Sequence, residues 1–297
     1  MNKTFIVEEE TRLDKFLAQK LEQSRNQIEQ LIKKEFVKIN QKTVSKTGYK
    51  LKLGQEIDVT LPQVEKKEIQ KVDFDVEVIY EDDYILVINK PSGLVVHDAP
   101  SVNEPTLVDW LKQKNISLST ISGEERHGIV HRLDKGTSGV MVVAKTNEAH
   151  TGLSAQLEDK SMGRYYLALT DLALKDDIII DQPIGRSPNN RLKMAVVPHG
   201  KNAKSAFIKL SMSKNEKYEF ISAKLFTGRT HQIRVHLGSI NRHILGDNLY
   251  GFKGELNKIN RVYLHAYNLY LIHPVSNEKM SFLANIPCDM NDFLNTQ

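Results

Sequence analysis

Three short stretches of the sequence concentrate residues able to do chemistry. The first is His127-Gly-Ile-Val-His-Arg-Leu-Asp134-Lys-Gly-Thr-Ser-Gly139, followed by the apolar run Val140–Ala144. An aspartate in such a setting ordinarily caps a turn, its carboxylate accepting backbone N–H bonds. Here Arg132 stands two positions before it, and a glycine-rich turn with small hydroxyls follows. Such a turn lets a substrate backbone approach closely, while a strand behind it fixes the carboxylate. The second stretch is Thr227-Gly-Arg-Thr-His-Gln-Ile-Arg234-Val-His236. Its alternation predicts a strand over 231–236, with Gln232, Arg234 and His236 on one face and Ile233 and Val235 on the other. An arginine there can keep a carboxylate ionised, clamp a phosphate, or form a structural salt bridge. The third is Gly163-Arg-Tyr-Tyr166-Leu-Ala-Leu169. On a strand, Tyr166 can stack on a base and reach a proton with its hydroxyl, or simply pack in a sheet.

Other chemistries lack their parts. There is no glycine-rich dinucleotide or phosphate loop, and Ser138 and Ser154 lack a nucleophile-elbow setting. His231 and His236 are five apart, which does not match a helical zinc pair, and Cys288 is the single cysteine. Neither cofactor nor metal is expected, and the lone thiol fits a reducing compartment. No apolar run approaches the roughly 18–20 residues that span a bilayer. The opening MNKTFIVEEETRLDKF has acids where a signal peptide carries its apolar core. The expectation is a cytoplasmic protein with no membrane partner.

The elements that must position these residues fall into two regions, as 297 residues at roughly 150 per domain suggest. With 40% hydrophobic and 26% charged residues the chain is too apolar for disorder. Residues 1–62 read as one small domain. Leu13, Phe16, Leu17 and Leu21 predict a helix over 12–21, and Ser24 with Gln27 fits a capping box opening a second one with Ile28, Leu31 and Ile32. A short strand pair turns at Asn40-Gln41, and a last strand runs from Glu56 to Leu61. Residues 12–53 hold 11 Lys/Arg against 4 Asp/Glu, a net +7 in a chain whose total is +4. That basic unit is either a phosphate-binding surface or a solvated face.

Residues 63–76 read as a linker, where an acidic stretch from Asp73 to Asp83 begins. The larger domain, 77–297, predicts strands over 84–89, 140–145, 165–170, 178–181, 206–210, 218–226, 231–236 and 261–270, with helices over 106–114 and 146–158. That pattern implies an α+β fold with a mainly antiparallel mixed sheet flanked by helices and loops. Between Gln182 and Leu210 lie six bases and no acid, a second candidate nucleic-acid surface.

Four motifs occur in order: Asn89-Lys-Pro-Ser-Gly-Leu-Val-Val-His97, Gly128-Ile-Val-His-Arg-Leu-Asp-Lys-Gly-Thr-Ser-Gly139, Gly228-Arg-Thr-His-Gln-Ile-Arg234, and Leu264-His-Ala with His273-Pro274. Together they resemble the RluA-type pseudouridine synthases, especially the RluD subgroup that modifies large-subunit ribosomal RNA. Residues 12–62 resemble the RNA-binding module first seen in a small-subunit ribosomal protein, the alpha-L fold. The resemblance implies isomerisation of uridine to pseudouridine in RNA, without cofactor or metal, by a monomer. It places Asp134 on the family's essential aspartate, Arg234 on the arginine that pairs with it, and Tyr166 on the tyrosine that stacks on the uracil. Arg132 matches an arginine that enters the space left by the flipped base, and Ile233 supplies an apolar wall. His131, Arg229 and Gln232, from the same two runs, complete the expected substrate-binding set. The sequence departs from the family pattern at Asp98, after His97, and at Thr170-Asp171, after the tyrosine strand.

Overall fold

The computed structural model describes residues 2–21, 23, 25–61, 72–98, 102–121, 127–213, 217–253, 259 and 261–296. The chain divides into two compact units, residues 1–69 with 120–127 and residues 70–119 with 128–297.

In the first unit, β1 (Asn2–Ile6) is followed by helices α1 (Leu13–Leu21) and α2 (Arg25–Lys33), then β2 (Val37–Ile39), β3 (Lys42–Thr43) and β4 (Glu56–Thr60). The strands form an antiparallel sheet in the order β1-β4-β2-β3. Leu13, Leu17, Ile28 and Ile32, spaced to share a helix face, are fully buried with Val37, Ile57 and Val59. Asn40 and Gln41 both have positive φ, 47° and 68°, which suits the two-residue turn between twisted strands. The expected capping box lies outside the described residues at Ser24 and at the Gln27 side chain. Sequence periodicity misses β1, which pairs with β4 more than fifty positions away. Nine lysines from Lys15 to Lys52 are exposed.

The second unit is organised by a nine-stranded sheet. Its elements are β5 (Glu77–Glu81), β6 (Ile85–Lys90), α3 (Leu107–Gln113), β7 (Ser138–Ala144), α4 (Asn147–Glu158), β8 (Gly163–Thr170), β9 (Ile178–Asp181), the ribbon β10 (Ile184–Arg186) and β11 (Met194–Val196), β12 (Lys204–Met212), β13 (Glu219–Leu225), α5 (Gln232–Ser239), β14 (Leu264–Ile272), β15 (Lys279–Leu283) and α6 (Cys288–Thr296). The strand order is β5-β6-β7-β14-β8-β13-β12-β9, with β15 beside β14. Every pairing is antiparallel except β7 with β14. The fold is α+β with a mixed, mainly antiparallel sheet. All of β7 is buried, which is why Ser-Gly-Val-Met-Val-Val-Ala reads as a continuous apolar run rather than an alternating one. Gly139, at φ 117°, lets β7 and β14 meet, because a Cβ there would stand 2.1 Å from Ala266 O. Thr106 and Thr146 cap α3 and α4 through their side chains.

Two expectations are corrected here. The predicted linker 63–76 lies partly outside the described residues, but Val72 and Val76 are buried in the core of the second unit, which therefore begins before residue 77. The predicted strand 231–236 is the start of helix α5. Gln232 through Leu237 are all buried, so the apparent alternation of Ile233 and Val235 with polar residues marks no solvent face. Buried partners hold the polar positions instead: His236 contacts Ser205 Oγ at 3.0 Å and Gln182 O at 3.1 Å.

Candidate active site

Asp134 lies in the turn that enters β7, its carbonyl accepting Thr137 N–H at 3.0 Å. The Asn89–Gly93 segment stitches this turn in place. Ser92 Oγ donates to Gly136 O at 2.9 Å, and Gly93 N donates to Lys135 O at 2.8 Å. Lys90 is fully buried and its Nζ faces three carbonyls, Pro91 and Leu94 at 2.8 Å and Lys135 at 3.4 Å. Burial pushes its pKa down to about 7 while the Asp134 charge opposes this; three acceptors suit the ammonium form.

Arg234, from the first turn of α5, reaches Asp134 Oδ2 through Nη1 at 3.2 Å. Its tighter partner is a residue the sequence did not single out. Asp247 takes Nε at 2.7 Å and Nη2 at 2.8 Å, a bidentate pair, and its side chain is 1% exposed. The guanidinium also lies over the Tyr250 ring at 4.8 Å. Burial works against its charge, but the two aspartates hold its pKa above the ordinary arginine value. His231, left-handed at φ 58°, puts Nε2 3.9 Å from Asp134 Oδ1 while Nδ1 meets Tyr250 OH at 2.8 Å. The Tyr250 oxygen already accepts Met194 N–H, so its own proton is available to Nδ1. Burial lowers the His231 pKa and favours the neutral ring. Arg234 is thus fixed from three sides before any ligand arrives, and it holds Asp134 at one end. Neither Asp247, thirteen residues downstream, nor Tyr250 carries a motif signal of its own.

A cavity of about 420 Å³ opens beside this network. All eight expected site residues line it: His131, Arg132, Asp134, Tyr166, Arg229, Gln232, Ile233 and Arg234. Their tasks differ. Tyr166 is 6% exposed on β8, and burial pushes its hydroxyl up to about 12, so the phenol stays protonated at neutral pH. Arg132 is exposed at the rim, with Nη1 3.3 Å from His97 Nε2. Asp98, one of the two departures, directly follows that histidine. The other, Asp171, anchors a turn through His243, accepting its N–H at 2.8 Å and contacting Nδ1 at 2.9 Å.

Two of the expected substrate contacts are committed elsewhere. The Gln232 oxygen accepts Thr227 Oγ1 and Arg229 N–H, and its amide donates to Lys204 O and Ser205 Oγ. All four of its hydrogen-bonding positions are filled, so it builds the turn rather than binding substrate. His131 Nε2 accepts the Val142 N–H at 3.1 Å, and burial, helped by the Arg164 charge, pushes its pKa down to about 3. It is a neutral brace for β7. A second cavity of about 920 Å³ also reaches Asp134, lined in part by Arg132, His231 and Arg261. Among the described residues no cluster of His, Cys, Asp and Glu could hold a metal ion, and no helix is long and apolar enough to cross a membrane.

A carboxylate held by a guanidinium, facing an aromatic ring across a nucleoside-sized cavity, suits chemistry on a base and its sugar. The comparisons with known proteins decide which. Residues 84–239 match the RNA pseudouridylate synthase family, and residues 11–57 match the S4 domain. The chain belongs to the RNA pseudouridine synthases. A Helicobacter pylori protein named as an uncharacterized RNA pseudouridine synthase is 49% identical over 303 residues, covering 99% of this chain and 92% of that one. A Zymomonas mobilis protein named ribosomal large subunit pseudouridine synthase D is 38% identical, covering 94% and 91%. The solved human RNA pseudouridylate synthase domain-containing protein 4 shares the fold, with a TM-score of 0.57 at 24% identity over 74% of this chain and 92% of that one. The synthase is an RNA-directed isomerase that pairs an RNA-binding S4 domain with its catalytic unit.

Proposed function

We propose that this synthase acts on uridines of large-subunit ribosomal RNA, with Asp134 as the reacting carboxylate and the base flipped out of the RNA stack against Tyr166. The observation that carries the mechanism is Asp134 itself: its side chain is 19% exposed, it bonds Arg234, and it shares one cavity with the Tyr166 ring. The carboxylate attacks the anomeric carbon or takes the neighbouring sugar proton to give a glycal. In either case the C1′–N1 bond breaks and its electron pair leaves with the uracil. The base then turns and C5 bonds to C1′. After direct attack, the bond between C1′ and the Asp134 oxygen breaks and its electron pair returns to the carboxylate. From the glycal, C2′ instead takes its proton back from Asp134. C5 then loses its proton and N1 gains one. Flipping is needed because neither the glycosidic bond nor C5 is reachable in a stacked helix, and it costs a few kcal/mol. Phosphate contacts from the exposed lysines of the S4 domain and from Arg186 and Arg191 on and beyond β10 offset part of that cost.

Two things support the ribosomal target: relatives named for the large subunit that align along nearly the whole chain, and the basic S4 domain. Mapping pseudouridines across cellular RNA with and without this protein tests it. Loss of sites in large-subunit RNA is the expected result, and loss confined to tRNA overturns the target.

A further inference from the structure

Arg164 stands out among the cations lining the 420 Å³ cavity. It precedes Tyr166 by two on β8, so both side chains leave the same face of the strand. Arg164 is 7% exposed, yet its guanidinium meets no carboxylate or carbonyl among the described residues, and its buried Nε has no hydrogen-bond partner. Burial accordingly lowers its pKa. A buried, unpaired guanidinium opposes folding, so a sequence keeps one where a ligand supplies the missing acceptor. The chain also leaves room for it: a Cβ at Gly228 would stand 2.6 Å from Arg164 Nη1.

We propose that Arg164 is a catalytic residue that donates hydrogen bonds to a carbonyl oxygen of the uracil ring and stabilises the base as it leaves. The assignment rests on the reading that the base lies against Tyr166. When C1′–N1 breaks, the electron pair passes to N1 and is shared with O2 and O4, so negative charge grows on the oxygens of a base held beside Tyr166. A donor already desolvated and aimed into that space acts on the transition state more than on the bound RNA. The exposed Arg132 and half-buried Arg229 stand nearer solvent, the place for a charged phosphodiester, whereas Arg164 is buried on the strand face that carries Tyr166.

The test is an Arg164→Met variant of the full chain, compared with the parent on an RNA the parent modifies. The single-turnover rate at saturating RNA falls about 100-fold or more, as for loss of one oxyanion donor. RNA Kd and its salt dependence stay near the parent's. Tm stays level or rises, because an uncompensated buried charge is gone. Millimolar guanidinium restores part of the rate to Arg164→Ala. Gly228→Ala slows the parent by displacing Arg164 Nη1 but adds little in the Arg164→Ala background. An unchanged rate with a weaker Kd and a shallower salt slope marks a phosphate contact and overturns the assignment. A Tm lowered by several degrees, with no guanidinium rescue, marks a structural residue and also overturns it. Those outcomes leave the reading of Asp134 intact, whereas a parent that modifies no RNA removes both.

Discussion

The two walls of the cavity are built on opposite plans. On the α5 side, Arg234 is bonded by Asp247 and Asp134 and lies over Tyr250, which in turn meets His231. On the β8 side, Arg164 and Tyr166 are equally buried, but among the described residues they make no such bonds, and Arg164 Nε has no partner. The first wall is complete without substrate and fixes one carboxylate oxygen in space. The second has its polar capacity unspent, the arrangement expected where the protein's partner is the base itself. On the proposed mechanism, preorganisation at the sugar and open donors at the base divide the isomerisation between them.

Breaking the first wall has the largest effect at Asp134. Asp134→Asn keeps shape and hydrogen bonding but removes the negative charge, so turnover falls at least about a thousandfold while RNA affinity changes little. Single-turnover formation of pseudouridine together with filter binding reads both; appreciable activity in the variant refutes the carboxylate's role. Arg234→Ala comes next. It frees Asp134 and strands Asp247, buried and unpaired, so it costs about 3–5 kcal/mol of stability as well as turnover. Asp247→Asn separates the two effects: Arg234 remains near Asp134 but loses its bidentate anchor, and the rate falls less than in Arg234→Ala. Equal Tm values for parent and Arg234→Ala would show that the Asp247–Arg234–Asp134 ion pairs add no stability.

The S4 domain lies outside this comparison, and its deletion should show that. A chain lacking residues 1–62 loses affinity for structured RNA by about tenfold or more and has a shallower salt dependence, as expected when several lysine–phosphate contacts go. Its rate on a short RNA at saturation stays within a small factor of the parent's. An affinity unchanged by the deletion would assign RNA binding to the catalytic unit alone.

The sequence shows one wall far better than the other. The β7 turn and β8 are legible because a short apolar run set off by turn residues behaves locally, and residues 178–181 form the predicted strand. The α5 wall is not legible. His231-Gln-Ile-Arg-Val-His236 alternates as a strand would, but every side chain from Gln232 to Leu237 is buried, so polarity no longer reports which face meets water. Asp247 is invisible for a related reason. Its partner lies thirteen residues away on a helix, and nothing in Gly246-Asp-Asn-Leu-Tyr250 distinguishes a buried anchor from a surface turn. Arg164 lies within the tyrosine motif, yet its lack of a partner is a property of the fold, which spacing cannot express. Gln232 errs the other way, since a motif residue can be wholly occupied in holding its own turn.

The smallest predicted effect tests the β8 wall through His131, which lines the same cavity. His131 braces β7 by accepting Val142 N–H, and its pKa is pushed down to about 3 by burial first and by the Arg164 charge second. Unfolded, the same imidazole titrates near 6.5. Between those values the unfolded chain holds a proton the folded one refuses, so stability rises with pH there. The contribution is fully present above about pH 6.5 and is lost as acidity approaches pH 3, at no more than about 1.4 kcal/mol per pH unit. His131→Gln, which can still offer an oxygen to Val142, flattens that part of the Tm-against-pH curve. Arg164→Met, on the β8 wall, acts on the same curve. With the guanidinium gone, His131 accepts a proton at a somewhat higher pH in the folded state, the window narrows from below, and less stability is lost on acidification. Because burial is the larger cause, the shift is modest. Should the acid limb of Arg164→Met coincide with that of the parent, the two side chains do not share an electrostatic environment across the cavity.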